Sequence, residues 1–278
     1  LHHLVEGSGH LGLGRGIEIL FRVYGIPKIT TAQVEDFAGL MRRLWRGETI
    51  LGHDGPAGRY PVLRLDPDFD EAIPLLWTAF GPRSLALGGR VFDAVVLHTF
   101  FSDETLARCV AAVKRAAEEA GRDPASVRVW SCFATVGDHL DPALRLKKTV
   151  GRLATYLQGY GDLLVKTNRW DPAVLARFRA DPFVASFRSA FDDKATTEQL
   201  ERVAELLPDE WLAAAATGSP AQCAQKILGQ FDCGADAVIL HGASPCELAP
   251  IVEAYRAIRP AGRFDRLPAN PAGPLLAR

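Results

Sequence analysis

An excess of either charge is missing from this sequence. Its 278 residues hold 32 basic and 33 acidic side chains, a formal net charge of −1. That balance offers no electrostatic footprint for nucleic acid or anionic lipid, which leaves a small-molecule substrate as the expected partner. No apolar run reaches the roughly 18 residues a membrane span needs, and no charged-then-apolar segment opens the chain as a signal peptide would. The five cysteines, Cys109, Cys132, Cys223, Cys233 and Cys246, are odd in number and contain no C-x-x-C pair. Three of them fall inside apolar helical patterns, so the expectation is reduced thiols in a cytoplasmic protein rather than a disulfide framework. His2, His3, His10, His53 and His139 show no metal-ligand spacing. A G-x-S-x-G elbow, a P-loop and a cysteine–histidine nucleophile pair are absent as well.

What is present is a repeated strand-then-helix grammar. The runs "FDAVVLHTF" (92–100) and "ADAVILHGA" (235–243) share Asp-Ala-Val, a β-branched residue and Leu-His, and each predicts a buried strand leading straight into a helix. Ser102 or Asp103 caps the first helix, which carries Leu106, Cys109, Val110, Val113 and Ala117 on one stripe and ends at Gly121. Ser244 and Pro245 open the second. A capping box of Thr30 and Gln33 predicts a helix with Val34, Phe37, Met41, Leu44 and Trp45 inward and Gly47 just past its end. Ser219, Pro220 and Gln222 open another helix, and Gly81 with Pro82 another. Strands are expected near 10–14, 74–79, 94–99, 127–136 and 236–241. Parallel strands joined by crossover helices imply an α/β fold, a TIM (β/α)8-type barrel. Five strands leave that barrel incomplete, and with no initiator Met the expectation is that N-terminal βα units are missing.

The strand pattern stops between Asp141 and Ala216, where Asp141-Pro142, Asp171-Pro172 and Thr196 with Gln199 mark helix starts. This predicts a helical insertion over 140–216, before the last strand, serving either as a lid on the ligand face or as added packing. Trp170, Phe187 and Trp211 within it either shape an apolar pocket or fill core. The partial barrel is expected over 1–260 and a Pro-rich tail over 261–278.

Three stretches stand where strands end and ligands bind. In "HLGLGRG" (10–16), Gly12, Gly14 and Gly16 would leave one strand face bare, admitting either a flat ring or a neighbouring strand's side chain, with Arg15 beside them for an anionic group. "TAFGPRS" (78–84) passes from a strand end into a helix N-terminus. Its free amides and the Ser84 hydroxyl suit a phosphate, although an ordinary βα turn has the same letters. His98 and His241, each ending a V-x-L-H run, are candidates for proton exchange or for structural hydrogen bonding.

The order "LGLGRG", "TTAQVEDFAGLMRRLWRGE", "GPAGRYPVLRL", "IPLLWTAFGPRSLALGGRVFDAVVLH", "DPASVRVWSCFATV" and "TGSPAQCAQKILGQFDCGADAVILHG" resembles the bacterial luciferase-like superfamily. Within it, the chain is most similar to the oxidoreductases that depend on the deazaflavin coenzyme F-420, and the likeness runs from about His10 to Arg256. An excess of Arg over Lys, as in GC-rich actinobacterial coding, agrees with that branch. The resemblance implies that Gly14, Arg15 and Gly16 line the cofactor and that Ala79, Phe80, Gly81, Pro82 and Ser84 hold its phosphate. It implies hydride transfer between reduced coenzyme F-420 and a small organic substrate, and a possible homodimer. An FMN-dependent monooxygenase on the same barrel is the alternative cofactor reading, and a non-catalytic or truncated barrel homologue is the alternative of another class. The family's first three strands supply acid/base residues that this sequence does not contain, so no catalytic acid is carried over to it.

Overall fold

The computed structural model describes residues 9–16, 18–66, 70–265 and 267, the side chains of 18–20 excepted. Nearly all of the expected tail, and the segment before residue 9, therefore lie outside the described residues. The described residues form two compact units, one drawn from 9–96, 111–129 and 262–267 and the other from 97–110 and 130–261.

The first unit opens with β1 (Leu11–Leu13), α1 (Glu18–Tyr24) and α2 (Thr31–Leu44). It continues through β2 (Ile50–Gly55), β3 (Gly58–Leu63), β4 (Leu75–Thr78), α3 (Pro82–Val91) and β5 (Ala94–Val96). Strands β1, β4 and β5 pair in parallel in that order, with Leu13 opposite Trp77 and Thr78 opposite Val96. The antiparallel β2–β3 hairpin, absent from the strand expectations, buries Ile50 against Leu40 and Leu44 of α2. The Thr30–Gln33 capping box forms as expected. The buried stripe, however, runs through Val34, Ala38, Leu40, Leu44 and Trp45, and Phe37 is 39% exposed. The α2 contact is thus rotated toward its small residue.

Next come α4 (Asp103–Glu119) and β6 (Arg128–Gly137), after which the second unit carries its helices: α5 (Pro142–Leu146), α6 (Arg152–Asn168), α7 (Pro172–Ala180), α8 (Pro182–Ser186), α9 (Phe191–Lys194), α10 (Thr197–Ala204) and α11 (Asp209–Leu212). A π-helical turn, Lys147–Gly151, joins α5 to α6. Then follow β7 (Ala216–Gly218), α12 (Pro220–Asp232), β8 (Ala237–His241) and α13 (Pro245–Ile258). Strand β6 pairs in parallel with β8 through 130–134 and with β7 through 135–137. The inserted helices therefore precede β7, and the last strand, β8, follows one βα unit later. At three residues, β7 is too short to show a period of two.

The α/β organisation with parallel strands stands, and its helices begin where side chains cap them. Asp141, Asp171, Thr196, Ser219 and Ser244 each accept a first-turn amide. All five cysteines are free thiols. Among the described residues no helix is long and apolar enough to cross a membrane.

Candidate functional site

In the first unit, parallel pairing of β1 with β4 brings the ends of both strands to one edge. Strand β1 stops at Leu13, so the three glycines do not form one continuous strand face. Gly12 is exposed, and a Cβ there would meet nothing within 4 Å. At Gly14 a Cβ would stand 2.5 Å from Thr78 Oγ1, and the Thr78 hydroxyl lies 3.4 Å from the Leu13 carbonyl as donor. Gly14 is bare because a neighbouring strand's side chain occupies its space, which is the packing alternative. Gly16 adopts φ 69°, a left-handed turn disfavoured for side-chain-bearing residues, with the Phe21 ring beside it. Arg15 is half-buried between them.

On the adjacent strand, Thr78 leads through buried Ala79 and half-buried Phe80 to Gly81, the N-cap of α3, which has no side-chain cap. Pro82 has no N–H, and the Ser84 and Leu85 amides both donate to the Gly81 carbonyl at 3.0 Å. The Gly81 and Arg83 amides are left without partners among the described residues, at a helix terminus of positive potential. Ser84 departs from expectation. It is 4% exposed, and its hydroxyl accepts the Trp77 indole N–H at 2.9 Å. A fully buried indole needs an acceptor, and Ser84 provides it instead of facing the strand ends.

The second unit carries the histidines. His98 lies two residues past β5, in a loop where Phe100 adopts φ 60°. Asn168, at the end of α6, holds this loop: its amide donates to the Phe100 carbonyl at 3.0 Å, and its oxygen accepts the Ser102 N–H at 3.0 Å. His98 Nδ1 stands 2.8 Å from the Thr99 carbonyl. A carbonyl only accepts, so Nδ1 carries the proton and Nε2 is left to accept the Tyr160 hydroxyl, also at 2.8 Å. Burial, chiefly, pushes the imidazole down to about 4, with His241 adding repulsion. His98 is therefore neutral near pH 7 and is a hydrogen-bond acceptor there, not a proton donor. Burial also raises the Tyr160 phenol well above its usual range. Tyr160 interrupts α6 with φ −155° and ψ 35°, and its ring and that of Tyr156 stand 5.1 and 5.0 Å from the imidazole.

On the strands beside this group, Phe133, Val238 and Leu240 pack with Cys223, Ile227 and Ile251. Alternation puts Cys132, Ile239 and His241 on the other face, where all three are half-buried. Cys132 Sγ is 3.4 Å from Thr99 Oγ1. His241 Nδ1 is buried without a partner among the described residues, and burial lowers the pKa of its ring below the ordinary histidine value. The repeated Leu-His runs thus serve unequally: His241 ends β8, whereas His98 sits beyond its strand. Tyr160 was not among the expected site residues; the signal that could have found it is the pair Gly159 and Gly161 on either side, a weak point in an otherwise regular helix. Trp170 stacks on fully buried Trp211 at 4.6 Å, so Trp211 fills core. Among the described residues no cluster of three or more His, Cys, Asp or Glu side chains could hold a metal.

Comparison with known proteins adds to this geometry. A family model described as luciferase-like monooxygenase matches residues 1–237. The phthiodiolone/phenolphthiodiolone dimycocerosates ketoreductase of Mycobacterium tuberculosis (strain CDC 1551 / Oshkosh) is 32% identical over 131 residues, 46% of this chain. That match spans only about a third of the relative's length, 34%. Among solved structures, the coenzyme F-420-dependent tetrahydromethanopterin reductase from Methanopyrus kandleri superposes with a TM-score of 0.66 at 16% identity, covering 90% of this chain and 73% of that one. An F-420-dependent secondary alcohol dehydrogenase, in complex with an F-420-acetone adduct, gives 0.63 at 16% identity over 93% and 72%. The oxygenating constituent of 3,6-diketocamphane monooxygenase from Pseudomonas putida, in complex with FMN, gives 0.53 at 19% identity over 92% and 71%. At these identities the structural likenesses establish the fold.

Proposed function

The chain belongs to the luciferase-like monooxygenase family, and from that premise we propose that it is an oxidoreductase using a deazaflavin of the coenzyme F-420 type to reduce the carbonyl group of an organic substrate. The observation that carries this reading is the parallel β1–β4 pair, which sets the open backbone at Gly12 opposite Leu76, on the strand that runs on into the uncapped turn of Phe80, Gly81 and Arg83. A ring system with a phosphorylated side chain needs that combination: flat backbone for the ring, and free amides at a helix N-terminus for the phosphate. Gly12, Arg15, Gly16, Gly81 and Arg83 would hold it. The deazaflavin family members and the ketoreductase relative support a carbonyl substrate, and the FMN-bound neighbour supports FMN as the second reading.

When bound, the reduced cofactor supplies the hydride. The protein's own task is then to bind and orient the cofactor. As hydride adds to the carbonyl carbon, the C=O π pair becomes a lone pair on oxygen, and the resulting alkoxide takes a proton from water. Protein mixed with reduced coenzyme F-420 and a panel of ketones and aldehydes tests the assignment. Ketone-dependent reoxidation of the deazaflavin is expected. Reoxidation that needs oxygen and FMN instead of a ketone would replace this reading by the monooxygenase one.

A further inference from the structure

The first unit carries a second concavity, of about 340 Å³, lined by Arg42, Arg46, Arg90 and Arg122 with Glu35. It lies where β4 and β5 begin, away from the edge where β1 and β4 end, because Arg42 and Arg122 both reach Asp93, the residue preceding β5. The fully buried Asp93 accepts the Leu75 N–H at 2.8 Å and an Arg42 N–H at 2.9 Å. Three elements deliver the guanidinium groups. Arg42 and Arg46 come from the end of α2, Arg90 from the last turn of α3, and Arg122 from the turn after α4.

Part of this charge has structural work. Arg42 also donates to the Val91 carbonyl at 3.0 Å, Arg122 Nη1 donates to the Gly89 and Phe92 carbonyls at 2.7 and 2.8 Å, and exposed Arg90 pairs with Glu35 at 3.0 Å. The remainder is unaccounted for. Arg122 Nε and Nη2 are buried with no hydrogen-bond acceptor among the described residues. Nη2 stands 3.9 Å from Asp93 Oδ1, beyond hydrogen-bond reach. One bridging water would satisfy Nη2 and the equally unpartnered Asp93 Oδ1, but it would leave Nε without a partner. Exposed Arg46 forms no ion pair among the described residues. A buried donor without an acceptor is unfavourable; Arg122 has two such donors just behind the wall of a cavity that sets four cations against Glu35 and Asp93. Arg42 and Arg122 also repel each other across Asp93.

We infer that this cavity is a binding site for a small oxyanion of the phosphate class, with Arg122 Nε and Nη2 and the Arg46 guanidinium as donors. A tetrahedral dianion has acceptors enough for several guanidinium N–H groups and offsets the surplus positive charge. The inference is independent of the redox reading, since it concerns other residues at the other end of the strands.

The test is an NMR titration of the arginine Nε–Hε signals of the full chain with inorganic phosphate, and in parallel with phenyl phosphate, at constant ionic strength set by sodium chloride. The Arg122 Nε–Hε signal is expected to shift and saturate. Arg46→Gln and Arg90→Gln, both exposed and outside the Asp93 cluster, are expected to weaken that response at least about tenfold. Tighter response to the ester would assign the site to a phosphorylated metabolite, and tighter response to the free ion to phosphate itself. Phosphate held at the α3 N-terminus would leave Arg122 unmoved and be indifferent to both substitutions. An unshifted Arg122 signal, or Arg46→Gln and Arg90→Gln titrating like wild type, overturns the inference and leaves the cavity to water.

Discussion

Gly14 has no side chain because Thr78 stands in its place. Gly14→Ala is therefore expected to cost about 1–2 kcal/mol by overpacking, and Thr78→Ala in the same chain to restore most of it. Urea unfolding of the single and double variants measures that coupling; equal costs with and without Thr78 would mean the glycine answers to something else. His98 makes a sharper case. Its imidazole stays neutral in the folded chain down to about pH 4, while the unfolded chain protonates it near its ordinary pKa of about 6.5. Below that value the unfolded state binds the proton first. The stabilisation present above pH 6.5 is thus lost as pH falls toward 4, by roughly 3 kcal/mol. His98→Gln should flatten the stability profile in that window relative to wild type, and parallel profiles would refute the buried neutral assignment. Ser84 teaches a related lesson: its place in the first turn of a helix signalled a ligand, and only the Trp77 indole, seven residues earlier, explains where its hydroxyl went.

Helices in this chain were legible because their starts are local. Asp-Pro, Thr-x-x-Gln and Ser-Pro pairs cap by contacts three residues long or less, and the six starts read from them all form. What failed needed neighbours far away in sequence. The inward face of α2 turned on whether Phe37 or Ala38 meets the strands, β7 is too brief to show alternation, and the hairpin owes its burial to α2. The strand-end segments 12–16 and 79–83 could be read as candidates from their glycines and proline, whereas the break in α6 at Tyr160 was marked only by Gly159 and Gly161, and the imidazole it meets lies 62 residues earlier. The loop between β5 and α4 depends on such a distant contact. Asn168 binds both the Phe100 carbonyl and the Ser102 amide, across the only turn of that loop with φ near 60° at a residue other than glycine. Asn168→Ala strands both groups, so a loss of about 2–3 kcal/mol is expected. Hydrogen exchange should show faster opening at Ser102 than at the centre of α4; uniform protection across both would contradict the clamp.

For the molecule as a whole, the family assignment and the parallel α/β organisation agree with each other, and each unit contributes a distinct chemical resource. The first offers open backbone and unpaired amides at one end of its strands and a cluster of arginines at the other. The second offers a neutral imidazole, in the loop after β5, bonded to a phenol on α6. The deazaflavin reading and the FMN reading both rest on the first of these, since either cofactor carries a phosphate and a flat tricyclic ring. Gly12 isolates that shared requirement. A Cβ there would meet no heavy atom within 4 Å among the described residues, so Gly12→Val should leave folding intact while filling the space assigned to the ring. The decisive measurement is a fluorescence titration of wild type and Gly12→Val with coenzyme F-420 and with FMN, alongside thermal melts. Wild type is expected to bind one of the two, and Gly12→Val to melt as wild type does while binding at least about tenfold more weakly. Wild type that binds neither cofactor, or a valine variant that binds as tightly as wild type, would contradict this.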